Sequence, residues 1–369
     1  MQINTLLVLF VVLLRLHSTS STLGLKRPHQ HLLNNINVVS STLHHPTHLW
    51  TPQLVTNCIF RSGTQRVFAV EMRTPEYSNV WERQLRLSSL PTEIQSRVRC
   101  QGWYSDGDAS GGQGPVPPTP SCVVDLRYLV GSKRTMLAAT LSLRSASTFY
   151  QHANMLILGL GGGTQPMQMR SLFPASTVTA VELDASVVTL AQKCFGFPHA
   201  DPKLRVVVDD AVSFVSKSAA SIRHTTFQTY NLIINDIANN LLSMGSIGSS
   251  VHDSMHTEQF FNDIRQLLTS NGLFIMNQLM IMKGDDTTHT ELEIISMIEQ
   301  NMKKAGFKTT RALLNDKVGR AILIGSVIEE QFEFMKTLKE NCAELGLSES
   351  KGERWRNVDI LTHELSAFV

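Results

Sequence analysis

The chain has 369 residues, enough for one large domain or two modest ones, and 42% of them are hydrophobic, which supports a buried core. Only 17% are charged and the formal net charge is +2, so no global field directs the molecule to nucleic acid or to an anionic membrane. The five cysteines, Cys58, Cys100, Cys122, Cys194 and Cys342, are scattered, with no C-x-x-C and no metal spacing, and read as reduced thiols rather than as a disulfide scaffold.

The N-terminal region is basic: Arg15, Lys26, Arg27, Arg61 and Arg66 all precede the first acidic residue, Glu71. Leu6 to Leu14 is an unbroken apolar run, shorter than the ~20 residues that span a bilayer. Its length suits the apolar core of a signal or targeting peptide over residues 1–21, with small residues following at Ser18 to Ser21. Met1 to Asn4 lacks the usual positive side chain, and the acid-poor stretch that follows also suits a mitochondrial presequence. The secretory pathway is the favoured expectation, with mitochondrion and cytoplasm as alternatives; the sparse thiols lend export no support. Residues 22–50 read as a Ser-, Thr-, Asn- and His-rich linker. His44, His45 and His48 lie there beside Pro46, and no second cluster completes a metal-ligand set, so no metal is expected.

Residues 51–104 hold four β-leaning runs, Leu54–Phe60, Arg66–Met72, Arg83–Leu87 and Ile94–Cys100, whose alternation predicts a small antiparallel sheet. Residues 105–121, rich in Gly and Pro, read as a flexible excursion. Over residues 122–327 the texture changes to short apolar runs alternating with helical patterns. Strands are predicted at Met155–Leu158, Val178–Val181, Leu204–Val208, Asn231–Asn235, Leu273–Asn277, Lys308–Leu313 and Ala321–Ser326, and helices near 166–172, 185–194, 210–218, 255–268 and 289–305. Nearly continuous apolar strands joined by helices imply an α/β fold: a Rossmann-like, seven-stranded, mostly parallel sheet covered on both faces. Its last two strands form an antiparallel pair at one edge. Residues 328–369 read as an amphipathic helical extension.

The richest segment is Met155 to Pro166, a strand followed by glycines at 159, 161, 162 and 163 and then a proline suited to the first turn of a helix. A dinucleotide fingerprint, G-x-G-x-x-G, fails here, because its third glycine would fall on Thr164 or Pro166. The pattern present is G-x-G-x-G, at Gly159, Gly161 and Gly163, which favours a nucleoside carrying an amino-acid tail. Glu182, at the end of the second strand, is placed to accept both hydroxyls of a ribose; the alternative, capping the next helix, is work that Asp184 can do. At the end of the third strand Asp210, with Asp209 as second choice, and Ala211 are candidates for the adenine, with a helix cap as the alternative role. Asn235 and Asp236 end the fourth strand at the same crevice and are the catalytic candidates; Gln278 is a weaker one. The Gly- and Ser-rich stretch from Ile237 to Ser254 reads as a lid or binding loop, and His252 with His256 does not by itself make a metal site.

Three stretches, GLGGGTQPM (159–167), FPASTVTAVELDASVVTLAQKCFGF (173–197) and YNLIINDI (230–237) with SNGLFIMNQL (270–279), resemble the class I S-adenosylmethionine-dependent methyltransferases and the spermidine synthase-like proteins. Within these the likeness is greatest to the C-terminal domain of the elongation factor 1-alpha lysine and N-terminal methyltransferases; it does not extend to residues 1–120. The resemblance implies S-adenosyl-L-methionine as cofactor. Gly159, Gly161 and Gly163 would lie along its methionine moiety, Glu182 on the ribose, Asp210 and Ala211 on the adenine, and Asp236 near the sulfonium and the acceptor. Two departures matter. Spermidine synthases carry an Asp in the glycine loop where Thr164 stands, and a second Asp three residues after the first where Asn239 stands. A polyamine needs anionic partners, so aminopropyl transfer is the runner-up to methyl transfer, ahead of a non-catalytic scaffold. The acceptor is open, a protein amine among the candidates, and a homodimer is an open assembly state.

Overall fold

The structure, a computed structural model, describes residues 53–62, 65–74, 80–88, 94–100, 122–126, 132–222, 229–237, 253–279, 288–315, 320–329 and 333–345. The expected targeting peptide, the linker, the Gly- and Pro-rich segment, most of the 237–254 loop with His252, and residues 346–369 lie outside them.

Four strands, β1 (Gln53–Ser62), β2 (Gln65–Thr74), β3 (Val80–Leu87) and β4 (Ser96–Val98), form an antiparallel sheet in that order. The helical pattern then begins with α1 (Ser132–Leu141) and a π-turn at Ala146–Tyr150. Next come β5 (Asn154–Leu158), α2 (Thr164–Leu172), β6 (Thr177–Glu182), α3 (Ala185–Cys194), β7 (Leu204–Val208), α4 (Ala211–Ile222) and β8 (Tyr230–Asn235). The remaining elements are α5 (Glu258–Leu267), β9 (Leu268–Leu279), α6 (Thr288–Lys304), β10 (Thr309–Asn315), β11 (Arg320–Ser326) and α7 (Phe334–Glu344). All seven strands predicted over 122–327 are present, in the order β10-β11-β9-β8-β5-β6-β7.

Strands β7, β6, β5, β8 and β9 are mutually parallel, and β11 and β10 add antiparallel pairs at the far edge. The chain runs outward from β5 through β6 to β7, then returns to place β8 on the other side of β5. The strand order therefore reverses between β5 and β8, where such sheets open a crevice at their carboxyl ends. Period-two alternation fills both faces: Met155 and Ile157 of β5 enter one core with Met136, Leu137, Tyr150 and Phe173. Leu156 and Leu158 enter the opposite core with Val215, Phe261 and Phe274. Strand β5 is thus apolar at every position after Asn154 because both its faces are covered.

The N-terminal sheet packs on α3 through a third core that includes Val55, Val67, Leu85, Val98, Val187, Leu190 and Phe195. The buried Arg83 side chain donates to the Cys194 carbonyl at 2.6 Å. Two disulfides correct the expectation of reduced thiols: Cys58 to Cys194, and Cys100 to Cys122. The partners lie 136 and 22 residues apart, so spacing could not reveal them; only the fold brings the Cα atoms to 6.1 Å and 5.2 Å. Cys342 is free and buried, and burial pushes its thiol up to about 11. Cys342 belongs to α7, whose Leu338 joins the core of the main sheet and whose Asn341 accepts from Ala146 N at 2.7 Å. The first part of the C-terminal extension is therefore an integral layer of the fold.

Candidate functional site

The crevice at the β5/β8 reversal is floored by main chain. After Leu158 the backbone turns through Gly159, Gly161 and Gly163 with φ of 94°, 54° and 75°, a region costly for residues with a Cβ. A Cβ on Gly159 would sit 2.9 Å from the Asp236 carbonyl oxygen, and one on Gly163 would sit 2.2 Å from Phe197 Cδ2. Gly161 faces the N-terminal sheet: a Cβ there would lie 3.3 Å from Ser96 Cβ. Bare backbone is therefore required by packing on both sides of the turn, and it leaves a surface that a ligand can approach closely. Gly163 then stands at the N-cap of α2, and beside it Thr164 Oγ1 is buried and, among the described residues, has no hydrogen-bond partner.

Three strand ends adjoin this turn. Leu158 is in register with Val181 and with Asn235, and Glu182 with Val208. Asp184 caps α3 by accepting from Ser186 N at 2.8 Å, so Glu182 is released from that role. The Glu182 carboxylate instead reaches across to the loop, accepting from Leu160 N at 3.0 Å and Asp184 N at 3.1 Å, with the Gly161 N–H a further donor. Burial pushes the Glu182 carboxyl above its ordinary 4.5, and the neighbouring Asp184 charge acts the same way; these outweigh the backbone donors. Leu183 and Val208, at the ends of β6 and β7, are 70% and 53% exposed, leaving apolar surface beside the carboxylate. That pair was missed in the sequence, because an apolar residue at a strand end looks like core.

Asp210 is an exposed N-cap: its Oδ1 accepts from Ser213 N at 2.8 Å, the alternative weighed for it. Asp209 accepts from Asp210 N at 2.9 Å and pairs with Lys217 at 3.2 Å. Ala211 follows as the buried first residue of α4. Because Asp209 N donates to the Glu182 carbonyl at 3.1 Å, the ends of β6 and β7 stay side by side and Asp210 borders the same crevice as Glu182.

The two catalytic candidates separate. Asn235 is fully buried; its amide nitrogen reaches Met255 Sδ at 3.5 Å and its Oδ1 accepts from Ile237 N at 3.3 Å. Its side chain lies in the core and in the turn that ends β8, apart from Asp236. Asp236 is half-buried and accepts from Asn277 Nδ2 at 2.8 Å. Asn277, at the end of β9, was not among the candidates; its Oδ1 is buried and, among the described residues, accepts no hydrogen bond. Gln278 is turned inward and bonds His256 Nε2 at 3.2 Å. Among the described residues no group of His, Cys, Asp and Glu could hold a metal ion.

Residues 140–317 match the spermine/spermidine synthase domain. The chain is 28% identical to the human eEF1A lysine and N-terminal methyltransferase over 165 residues, 44% of this chain and 23% of that one. It is 29% identical to the polyamine aminopropyltransferase of Vibrio vulnificus over 123 residues, 33% of this chain and 36% of that one. The match thus spans about a quarter of the methyltransferase and about a third of the aminopropyltransferase. Among solved structures, human methyltransferase-like protein 13 in complex with SAH superposes with a TM-score of 0.50 at 22% identity, over 61% of this chain and 96% of that one. A probable spermidine synthase from Corynebacterium glutamicum gives 0.53 at 17%, over 77% and 85%. Both similarities are of fold. The spermidine synthase-like, Rossmann-type architecture is common to the chain and its relatives, and those relatives are transferases of two kinds.

Proposed function

We propose that the chain is an S-adenosylmethionine-dependent methyltransferase. The observation that carries the reading is Glu182: a half-buried carboxylate, released from capping by Asp184, standing over a positive-φ glycine turn at the point where strand order reverses. Glu182 would accept the ribose hydroxyls, the exposed Leu183 and Val208 would flank the adenine, and Asp210 with Ala211 would border its edge. Gly159, Gly161 and Gly163 would line the methionine moiety. Bound there, S-adenosyl-L-methionine supplies an activated methyl on its sulfonium. The protein's work is alignment, and orientation alone can supply ~7–11 kcal/mol.

An amine acceptor must present a lone pair, so it must be neutral. Asp236, held by Asn277, would take one N–H of such an amine, and the Asn277 Oδ1, which has no hydrogen-bond partner among the described residues, would take another. Together they would orient the lone pair toward the donor. The aminopropyltransferase reading rests on the relatives of that name, and it asks for a dense set of carboxylates around a polycation. The donor loop has neutral Thr164 after its last glycine, which favours methyl transfer.

Two measurements test the donor assignment. In titration calorimetry Glu182→Ala is expected to weaken S-adenosylmethionine binding by about 1.5–3 kcal/mol, as for a lost hydrogen bond to a charged group. Unchanged affinity would remove Glu182 from the site. Acid gives the second. Ribose hydroxyls bond the ionised carboxylate, so affinity should fall on acidification with a midpoint above 4.5, where Glu182 takes up its proton. Folding responds with the opposite sign. A carboxyl whose pKa is raised in the folded state favours folding at low pH, and that contribution is lost as pH rises from 4.5 through the raised pKa. Binding that stays flat across this range would contradict the assignment.

A further inference from the structure

Lys133, in the first turn of α1, is a charged side chain that the foregoing leaves unexplained. It is half-buried, and its ammonium donates to Ser96 Oγ at 3.1 Å. That same oxygen lies 3.0 Å and 3.5 Å from the positions a Cβ would take on Gly162 and Gly161. The ammonium is therefore bonded to the hydroxyl that borders the middle of the glycine turn. The surrounding protein desolvates it and lowers its pKa, the Asp236 charge raises it, and Arg97 lowers it. Arg97 is itself offset by Glu82 at 3.6 Å. An ammonium has three N–H donors; among the described residues Lys133 uses one, on a neutral hydroxyl, and has no carboxylate within ion-pair distance. Withdrawing a cation from water without an anion is costly, and a bound ligand can supply that anion.

Resting on the donor assignment above, we infer that Lys133 binds the α-carboxylate of S-adenosylmethionine and so selects the carboxylated donor over the decarboxylated one. The donor's amino-acid tail would run along Gly159–Gly163, and Ser96 Oγ, which carries the Nζ of Lys133, borders Gly161 and Gly162. The tail carries one carboxylate and one ammonium. A cation facing the loop attracts the first and repels the second, and the neutral Thr164 places no counter-charge in the loop itself. Removal of the carboxylate would leave the Lys133 charge without its partner and beside a tail that carries only an ammonium. The N-terminal sheet would enter the site through this contact, because Ser96 of β4 borders the turn and accepts from the ammonium.

The test is titration calorimetry of the full chain with S-adenosylmethionine and with its decarboxylated form. The wild-type chain should bind the carboxylated donor about tenfold or more tightly, the value of a charge-assisted hydrogen bond. Lys133→Met, which keeps the stem and removes the charge, should bring the two affinities within about threefold, by weakening the first and relieving the repulsion of the second. Lys133→Arg should keep the preference. A thermal melt checks that each variant is folded, and Lys133→Gln replaces the Met variant if that one is not. A preference that survives in folded Lys133→Met or Lys133→Gln, with wild-type binding intact, overturns the role of Lys133 alone. Wild-type preference for the decarboxylated donor, or binding of neither, overturns the donor assignment and this inference with it.

Discussion

Loss of the Cys58–Cys194 disulfide should lower the stability of the folded chain by up to about 5 kcal/mol. The bridge closes 136 residues, and the loop-entropy model assigns about 5 kcal/mol to a loop of that length and about 3 kcal/mol to the 22 residues closed by Cys100–Cys122. The bridge joins β1 to the last residue of α3, after which Phe195 and Phe197 turn back onto Gly162 and Gly163. Removing it should therefore loosen the glycine turn as well as the N-terminal sheet. The paired Cys58→Ala and Cys194→Ala variant, unfolded in urea beside the wild-type chain, measures the loss. Cys100→Ala with Cys122→Ala should lose less. Cys342 offers no easy route for reshuffling, since a buried thiol with a pKa of about 11 holds almost no thiolate near neutrality. Equal midpoints with and without reductant would mean that the bridges do not form. Such bridges persist only where thiols are not kept reduced.

Gly163→Ala is expected to cost about 2–5 kcal/mol and to abolish donor binding. Two penalties add. An alanine at φ of 75° occupies the left-handed region, at ~1–2 kcal/mol. Its Cβ would lie 2.2 Å from Phe197 Cδ2, a ring buried in the main core, so the ring or the turn must move; overpacking of this kind typically costs ~1–3 kcal/mol. Gly306→Ala is the control, because its φ of 90° carries a backbone penalty while a Cβ there meets nothing within 4 Å. Gly161→Ala should fall between, with Ser96 Cβ at 3.3 Å able to yield slightly. Chemical denaturation of the three variants gives the ranking. Equal losses at Gly163 and Gly306 would show that backbone conformation, not the Phe197 contact, sets the cost.

Much of the site was legible because strand ends in a parallel sheet are addressable from sequence. Once β5, β6, β7 and β8 are read from their apolar runs, the residues after each run must gather at one edge, and Glu182, Asp210 and Asp236 do so. What each does there depends on one torsion or one neighbour. Asn235 and Asp236 are adjacent, yet the pleat sends Asn235 into the core toward Met255 and leaves Asp236 at the crevice with Asn277. Asp184 and Asp210 both follow strands and both cap helices; the cap at Asp184 is what leaves Glu182 for the loop.

The amino-acid sequence by itself determined the layers, because hydrophobic periodicity is a local property that each segment carries in its own residues. It also determined the glycine turn and the acid at the end of β6. Only the tertiary structure decided which cysteines pair, that Lys133 and Ser96 meet beside Gly161 and Gly162, and that Asn277 supports Asp236. These contacts join residues 136, 37 and 41 positions apart in the chain, and no local pattern encodes them. They arise when the N-terminal sheet packs on α3 and when β8 and β9 come into register.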